Sequence, residues 1–340
     1  MLEPMRPVPA TAADLGIVVV HYRDEAVLAT CLQRLAVSAP SAQVVVVDTS
    51  GHDDAAGVVA RHVDATRAAR VTRVTAPNHS YAHATNVGWK ALAAPLLAIM
   101  NADTWVEAGS FADLGAALAA HPEAGLAGPM ATDRHGRVQD LGVPYRGHYL
   151  RLRWARRRGG APSTGGAGED PPMEEARFAR GEGPLPRAPA AVTVPWLSGC
   201  LQLVRREVLD AVGGYDPSLR FFNEDWEFCL RARRAGYACL LVDTPVVHLG
   251  GTSTPAHPAF HVEGRRGGYA LSRRYAAPTV RRAHRAFLWF EANLGALFAR
   301  GEAQRAAHRR MVTMLRTDDV DTSPFGATLH DPRIENEARP

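Results

Sequence analysis

The sequence predicts an α/β protein built on a doubly wound, mostly parallel sheet with helices on both faces. Short apolar runs rich in β-branched residues recur along the first third of the chain, and stretches with helical spacing separate them. Strands that are apolar throughout are buried on both faces, which is typical of a parallel sheet covered by helices. Ligands of such sheets bind outside the carboxyl ends of the strands.

Four strands are predicted in the first third of the chain, with helices between them. The strands are LGIVVVHY (15–22), QVVVVDTS (43–50), VTRVTAPN (71–78) and PLLAIMNAD (95–103). A third helix is expected near 80–93. The first helix is predicted from apolar residues at helical spacing, which are Val27, Leu28, Cys31, Leu32 and Leu35.

Composition limits the class of protein. The chain has 340 residues, 46% hydrophobic and 22% charged, which suits one large globular domain with an appendage, or two domains. Its net charge of +4 is a weak basic bias, so nucleic-acid binding is the least favoured class. None of the four cysteines forms a CxxC pair, so a reduced, cytoplasmic setting is expected. Because neither a signal peptide nor a run of about 20 apolar residues is present, we expect a soluble or peripheral protein.

The chain divides by composition into a main domain and two flanking parts. We expect residues 1–14 to be a flexible N-terminus, residues 15–264 the main domain, and residues 265–340 a basic helical C-terminal extension with a disordered tail. About 155–190 is rich in Gly, Pro, Arg and Glu and cannot bury enough apolar area to order itself. We interpret it as a mobile loop, because strand-like residues resume at 191–204; a linker between domains is the alternative.

The C-terminal extension carries an apolar stripe among arginines. Its members are Phe287, Phe290, Leu294, Leu297 and Phe298. A stripe at this spacing usually packs into a core. A basic amphipathic helix can instead lie on a membrane surface, so peripheral contact with the inner face of the cell membrane is the second interpretation.

Polar residues stand where each of the first four strands stops. They are His21 to Asp24, Asp48 to Ser50, Asn78, and Asn101 with Asp103. Any one of them alone is better explained as a helix cap or turn former. Four successive strands ending in this way favour a polar ligand, because parallel strands end on one edge of the sheet. Neither GxGxxG nor GxxxxGK[ST] is present, so a divalent metal is the expected means of holding phosphates, and Asp103 would serve as its ligand.

A second group of polar residues begins the helix predicted in NEDWEFCLRARRAGY, with Asn223 as its cap. Glu224, Asp225 and Glu227 lie in the first turn, where acidic residues favour the helix dipole. The functional alternative is that Asp225 points into the cleft as a general base. Neighbouring carboxylates would then raise its affinity for a proton.

A third element is the strand in ACLLVDTPVVHLGGTST (238–254), which leads to His248 and then to Gly250 and Gly251. A lone histidine after an apolar run is more often structural than a ligand. Imidazole is nevertheless an acceptable manganese ligand, and the glycines allow the backbone to approach a ligand closely.

These elements, in this order, resemble the inverting, nucleotide-sugar-dependent glycosyltransferases of family 2, which have the GT-A fold. The resemblance covers most of residues 15–254 and is closest to the branch of rhamnosyltransferases and galactofuranosyltransferases of surface polysaccharide synthesis. Each motif is loose, while the ordered set is specific. The matching stretches are IVVVHYRDEAVLATCLQRL, VVVVDTSGHDD, NHSYAHATNVGWKAL, LLAIMNADTWV, LSGCLQLVRREVLDAVGGYDPSLRFFNEDWEFCLRARRAGY and VVHLGGTST.

The resemblance implies roles for the donor-binding residues. Asn101 stands at the first position of the DxD motif, where it offers an amide in place of a carboxylate. Asp103 is expected to bind the diphosphate and, with His248, a divalent metal, Mn²⁺ or Mg²⁺. Residues of the nucleotide-sugar pocket are Tyr22 and Asp48 for base and ribose, Asn78 and Asn86 for its shape, and Trp196 or Trp226 for stacking on a sugar face.

The same resemblance implies the reaction. Within the catalytic pair of Glu224 and Asp225, Asp225 is the base that takes the proton from an acceptor hydroxyl. The oxygen then attacks the anomeric carbon opposite the nucleotide, which gives one inversion. The expected partners are a nucleoside-diphosphate sugar and a glycan or lipid-linked acceptor.

Other functions stay open from the residues alone. A nucleotidyltransferase also uses a doubly wound sheet and a metal, but usually needs a glycine-rich basic loop after its first strand, which HYRDEAV lacks. A nucleotide-sugar-binding protein without transferase activity is the non-enzyme alternative. Asn101 favours it, whereas Asp225 and His248 oppose it.

Overall fold

The computed structural model describes residues 15–51, 54–66, 70–139, 190–250 and 258–323. Its strands are β1 (Leu15–His21), β2 (Gln43–Asp48), β3 (Val71–Thr75), β4 (Leu96–Asn101), β5 (Thr104–Val106), β6 (Ala124–Thr132), β7 (Ala191–Val194), β8 (Leu201–Arg205) and β9 (Ala238–His248). Its helices are α1 (Glu25–Ser38), α2 (Asp54–Thr66), α3 (Tyr81–Lys90), α4 (Ser110–Ala120), α5 (Arg206–Val212), α6 (Glu224–Arg234), α7 (Pro258–Tyr275), α8 (Pro278–Phe298) and α9 (Glu302–Thr317).

All these strands belong to one sheet, in the order β3-β2-β1-β4-β8-β6-β9-β5, with β7 also paired to β9. β1 pairs in parallel with β2 and β4, and β2 pairs in parallel with β3. β8 runs antiparallel to both β4 and β6, and β9 runs parallel to β6. β9 therefore points the same way as β4, so His248 lies at the sheet edge where Asn101 ends its strand.

Helices cover both faces of the sheet because alternate strand residues face opposite ways. Ile17 and Val19 pack with α1, α2 and α4 in one buried cluster, while Val18 packs with α3, α5 and α6 in another. On α3, a Cβ added to Gly88 would lie 2.3 Å from Val18 Cγ1, so this helix rests directly on β1. The predicted doubly wound, mostly parallel sheet is confirmed.

The C-terminal extension is helical, as expected, and α7, α8 and α9 form a third buried cluster around Tyr269, Leu288, Met311 and Leu315. The prediction that the apolar stripe packs into a core is wrong, since its residues lie within the described ranges and are exposed. α8 buries only Leu288 and Ala292. The stripe is exposed instead: Phe287 59%, Phe290 64%, Leu294 42%, Leu297 70% and Phe298 76%. None of the helices within the described ranges is long and apolar enough to cross a membrane.

Two local predictions differ from the structure. The run 191–204 is not one strand, because the segment 195–200 separates β7 from β8. Asn223 precedes α6 as predicted but does not cap it with its side chain, because its backbone is left-handed at φ 69°. The expected flexible N-terminus (1–14) and most of the expected loop at 155–190 lie outside the described residues, as does the tail beyond residue 323.

Candidate active site

The end of β4 and the end of β9 bring three of the predicted ligand-binding residues together. β5 follows the turn at Asp103 and pairs antiparallel with β9, with Thr104 opposite His248. His248 Nε2 consequently lies 3.4 Å from Asp103 Oδ1 and 3.4 Å from Asn101 Nδ2. Asp103 is buried, with 5% of its surface exposed. We call Asn101, Asp103 and His248 the phosphate-side group.

Gln139, which follows β6, fixes the imidazole of His248. His248 Nδ1 lies 2.9 Å from Gln139 Oε1, and Gln139 Nε2 donates to the backbone carbonyl of His248 at 2.8 Å. Because the second bond sets the orientation of the amide, Gln139 Oε1 must accept a proton from Nδ1. In the neutral ring, Nε2 then carries the lone pair and faces Asp103. No motif in the sequence marks Gln139, and sequence reasoning missed it.

The phosphate-side group suits a cation that takes few ligands from the protein. Asp103 and His248 offer one carboxylate and one imidazole nitrogen on the same side of the sheet edge. No set of three or more His, Cys, Asp or Glu side chains suited to a metal occurs within the described ranges. Magnesium and manganese commonly take their remaining ligands from phosphate and water, so two protein ligands fit such an ion.

Asp225 lies in the first turn of α6, held by two backbone amides. Gly199 N donates to its Oδ2 at 2.8 Å and Trp226 N to its Oδ1 at 2.7 Å. Burial raises the pKa of Asp225, although these amides and the Trp196 indole favour its charged form. An ionised carboxylate with raised proton affinity is suited to general base catalysis.

Glu224, the other member of the pair, is buried against the protein interior. Burial first, and the charge of Asp225 second, raise the pKa of Glu224 well above its usual value. Its Oε2 has no hydrogen-bond partner among the described residues. The two neighbouring carboxyl groups thus differ in environment. Asp225 is partly buried and held by hydrogen-bond donors, whereas Glu224 is favoured in its neutral form.

The segment 195–200 forms hydrogen bonds with both Asp225 and the phosphate-side group. Its Gly199 binds Asp225 through the backbone N–H, and the carbonyl of the next residue, Cys200, accepts bonds from Asn101 N at 3.1 Å and Thr104 Oγ1 at 2.9 Å. Tyr81 OH also donates to the Gly199 carbonyl at 3.0 Å. One short segment therefore contacts both groups, Asp225 through Gly199 and the backbone of Asn101 through Cys200.

Asp48 lies at the end of β2, buried and held by its neighbours. Ser50 donates to its Oδ1 from N at 2.9 Å, and Arg73 donates to its Oδ2 from Nη2 at 2.7 Å. Burial opposes the charge of Asp48, but the bonds from Ser50 and Arg73 outweigh it and lower the pKa. Sequence reasoning missed Arg73; its one signal was a basic residue inside the strand VTRVT. Nearby, Arg23 stacks over the Tyr22 ring at 4.6 Å.

The remaining predicted residues make different contacts. The Asn86 amide binds the backbone of Tyr215, donating to its carbonyl at 2.7 Å and accepting from its N–H at 2.9 Å. These bonds tie α3 to the turn before α6. The backbone carbonyl of Asn78 accepts a hydrogen bond from Arg220 Nη2 at 3.5 Å. Trp196 is half-buried beside Asp225, and Trp226 is 38% exposed.

Solved structures resemble this fold at low identity. The mannosyltransferase PcManGT from Pyrobaculum calidifontis matches with a TM-score of 0.53 and 19% identity, covering 92% of this chain and 86% of its own. TarS residues 1–349 from S. aureus match at 0.52 and 15%, covering 90% and 88%. GalNAc-T7 matches at 0.53 and 14%, covering 91% of this chain and 58% of its own. The expected GT-A fold is confirmed.

The family is identified by a match of sequence rather than of shape. No curated protein matches the chain. The family model described as glycosyltransferase like family 2 matches residues 12–265, which contain the phosphate-side group, Asp48 and Asp225. Because this match spans well over half of the 340 residues, the chain belongs to the glycosyltransferases of family 2.

Proposed function

We propose that the chain transfers a sugar from a nucleoside-diphosphate sugar to an acceptor hydroxyl, with inversion at the anomeric carbon. One observation carries the proposal beyond family membership. Gly199 and Cys200, adjacent in one segment, bind Asp225 on one side and the backbone of Asn101 on the other. A direct displacement requires a base and a diphosphate-binding group in fixed positions relative to each other. One short segment that binds both provides this.

In this proposal, Asp103 and His248 hold a divalent cation together with the donor diphosphate. When bound, such an ion stabilises the negative charge that develops on the departing diphosphate. Two of the similar structures hold the same ion: the PcManGT complex contains GDP-Man and Mn²⁺, and the GalNAc-T7 complex contains UDP, GalNAc and Mn²⁺. Of Mn²⁺ and Mg²⁺, we favour Mn²⁺ for this chain, because the two proposed ligands are one oxygen and one nitrogen.

Asp225 is the proposed base. The Gly199 and Trp226 amides hold its carboxylate in a fixed orientation, and burial raises its proton affinity. Asp225 takes the proton of the acceptor hydroxyl as the oxygen attacks the anomeric carbon. The bond from that carbon to the diphosphate oxygen breaks on the opposite face, so one displacement inverts the configuration. Glu224, favoured in its neutral form, adds no second negative charge next to the base.

The donor and acceptor are assigned by class. Asp48 with Arg73, next to Tyr22, offers a charged pair at the end of β2 for a nucleobase and ribose. Trp196, whose indole bonds to Asp225, and the exposed Trp226, the next residue after Asp225, supply flat apolar surfaces for a sugar ring. A rhamnose-like hexose is the first donor sugar to test, and a surface polysaccharide or lipid-linked glycan the first acceptor.

We also propose that α8 docks the enzyme on an anionic membrane on the cytoplasmic side. Its exposed stripe carries four aromatic or leucine side chains that are more than half exposed: Phe287, Phe290, Leu297 and Phe298. Residues 278–316 contain eight arginines against two glutamates. An apolar stripe in a basic surround matches the interface of an anionic bilayer, where each arginine contributes about 1 kcal/mol. This location would bring the cleft close to a lipid-linked acceptor.

A panel of UDP-, GDP- and dTDP-sugars, each incubated with and without Mn²⁺, tests the transferase proposal. The expected result is Mn²⁺-dependent release of nucleoside diphosphate from one donor, accelerated by the correct acceptor. Binding of a donor without release would favour the nucleotide-sugar-binding protein. In a parallel incubation with a nucleoside triphosphate and a sugar phosphate, release of pyrophosphate would favour the nucleotidyltransferase. Indifference to every nucleoside-diphosphate sugar would contradict the transferase proposal.

A further inference from the structure

The backbone just before the Glu224–Asp225 pair adopts an unusual conformation. Phe222 and Asn223 are consecutive non-glycine residues with left-handed backbones, at φ 66° and 69°. Two such residues in succession are unfavourable and persist only where the surrounding structure holds them. α6 begins at the next residue, so the conformation of these two residues sets the direction in which Asp225 leaves the loop.

Helix α7 holds this strained segment through hydrogen bonds. Asn223 Nδ2 donates to the Gly264 carbonyl at 3.0 Å, and Arg220 N donates to Glu263 Oε1 at 3.3 Å. Arg266 Nη2 donates to the Ser218 carbonyl at 2.9 Å. Three successive contacts therefore fasten residues 218–223 to one face of α7.

The anchor on α7 is a fully buried ion pair. Glu263 is 0% exposed and Arg266 is 3% exposed, and Arg266 Nε donates to Glu263 Oε2 at 2.9 Å. Ser323 Oγ also donates to Glu263 Oε2 at 2.7 Å, and Arg266 Nη1 donates to the Val320 carbonyl at 2.6 Å. Because every partner is buried and paired, the anchor is rigid.

Glycines on α7 permit the close approach. A Cβ on Gly267 would lie 2.9 Å from Asn223 Nδ2 and 3.5 Å from the Phe222 carbonyl oxygen. A Cβ on the next residue, Gly268, would lie 3.6 Å from Asn223 Oδ1, which is ordinary contact. Thus a methyl group at Gly267 would press on the side-chain amide of Asn223, whereas one at Gly268 would not.

We infer that α7 belongs to the catalytic unit as a clamp. It positions Asp225 by holding residues 218–223 in their left-handed conformation, with Glu263 and Gly267 as positioning residues. The family match ends at residue 265, inside α7. The second half of this helix lies outside the match but also helps to position the base. The assignment of Asp225 as the base rests on the proposed function; the clamp itself rests on the contacts above.

The matched substitutions Gly267→Ala and Gly268→Ala test the clamp. Both add one methyl group to the same helix and raise its helix propensity equally. We expect Gly267→Ala to displace Asn223, lower kcat about tenfold or more with the donor KM changed less than threefold, and leave Tm at or above the wild-type value. Gly268→Ala is expected to match the wild type. Equal kcat in the two variants would overturn the inference.

Hydrogen exchange of the amides at 224–228 separates failure of the clamp from failure of the proposed function. We expect exchange in the first turn of α6 to be about tenfold faster in Gly267→Ala than in Gly268→Ala, whether or not the protein transfers sugar. Unchanged exchange overturns the clamp, whereas an inactive wild type with the expected exchange contradicts only the transferase. If Gly267→Ala lowers Tm, Asn223→Gly decides, because it removes the bond to Gly264 without adding bulk. Faster exchange at 224–228 in Asn223→Gly supports the clamp, and exchange at the wild-type rate overturns it.

Discussion

Gln139 determines which nitrogen of His248 faces Asp103, since its amide is held by two bonds to the same histidine. Partners of this kind orient metal ligands, and their loss costs about 10- to 100-fold in metal affinity. We therefore expect Gln139→Leu to weaken Mn²⁺ binding by that factor, measured by electron paramagnetic resonance titration of the donor-free protein. Gln43→Leu, an exposed glutamine at the start of β2, is the matched control. Equal Mn²⁺ affinity in both variants would contradict the assignment.

The raised pKa of Glu224 makes the free energy of unfolding depend on pH. Burial and the charge of Asp225 raise its pKa in the folded state, so the folded protein holds this proton more tightly than the unfolded chain does. The contribution of Glu224 to the free energy of unfolding is therefore present at low pH and is lost as pH rises through the raised pKa.

Glu224→Gln should consequently raise the stability of the protein more at pH 8 than at pH 5, because the wild-type carboxyl loses its stabilising contribution as pH rises. Relief of about 1 kcal/mol corresponds to a Tm increase of about 2–4 °C. Thermal unfolding at the two pH values measures the effect, with Asp210→Asn, an exposed carboxylate on α5, as the control. A Tm difference that is the same at pH 5 and pH 8 would argue against a buried, neutral Glu224.

Among the secondary-structure elements, β1, β2 and β4 could be predicted because strands buried on both faces are apolar throughout, as IVVV and VVVV are. β3, at the edge of the sheet, is only partly buried and contains Arg73. The orientation of α8 could not be predicted. An apolar stripe at helical spacing has the same pattern whether it faces a core or solvent, and here packing against α9 selected Leu288 and Ala292 instead. Asn223 was correctly placed at the start of α6, but its left-handed backbone depends on α7, which is distant in sequence.

The exposed stripe of α8 makes a prediction about membranes. We expect the protein to sediment with vesicles containing about 30% phosphatidylglycerol and not with pure phosphatidylcholine, because apolar insertion and arginine attraction act together. Replacing Phe287, Phe290 and Leu297 by serine should abolish sedimentation while leaving Tm unchanged, since all three side chains are exposed.

Two outcomes would contradict membrane docking by α8. One is equal sedimentation with neutral and anionic vesicles. The other is a concentration-dependent dimer of the wild type, seen by analytical ultracentrifugation and lost in the serine variant, which would identify a second copy of the chain as the partner of the stripe.

In the whole molecule, the site is assembled by the sheet from distant parts of the chain. Asp103 follows β4 in the first third, while Asp225 and His248 come more than a hundred residues later. The direction of β9 brings His248 to the edge where β4 ends, and Gly199 of the segment 195–200 binds Asp225. Strand direction predicted the meeting of the first four strand ends, and only the resemblance of the sequence to family 2 linked Asp225 and His248 to them. The sequence could not predict Gln139 or Arg73, whose roles depend on which strands are neighbours: Gln139 follows β6 beside β9, and Arg73 lies on β3 beside β2.

The most direct test of the account is the Asp225→Asn variant, because the amide keeps the shape of the carboxylate but cannot take a proton. Donor affinity in the presence of Mn²⁺ should change less than about threefold, while kcat for transfer should fall by about 10²- to 10⁴-fold, the usual contribution of a general base. Asp210→Asn should transfer at the wild-type rate. Turnover by Asp225→Asn at the wild-type rate would contradict the central claim that Asp225 is the base of a family 2 glycosyltransferase.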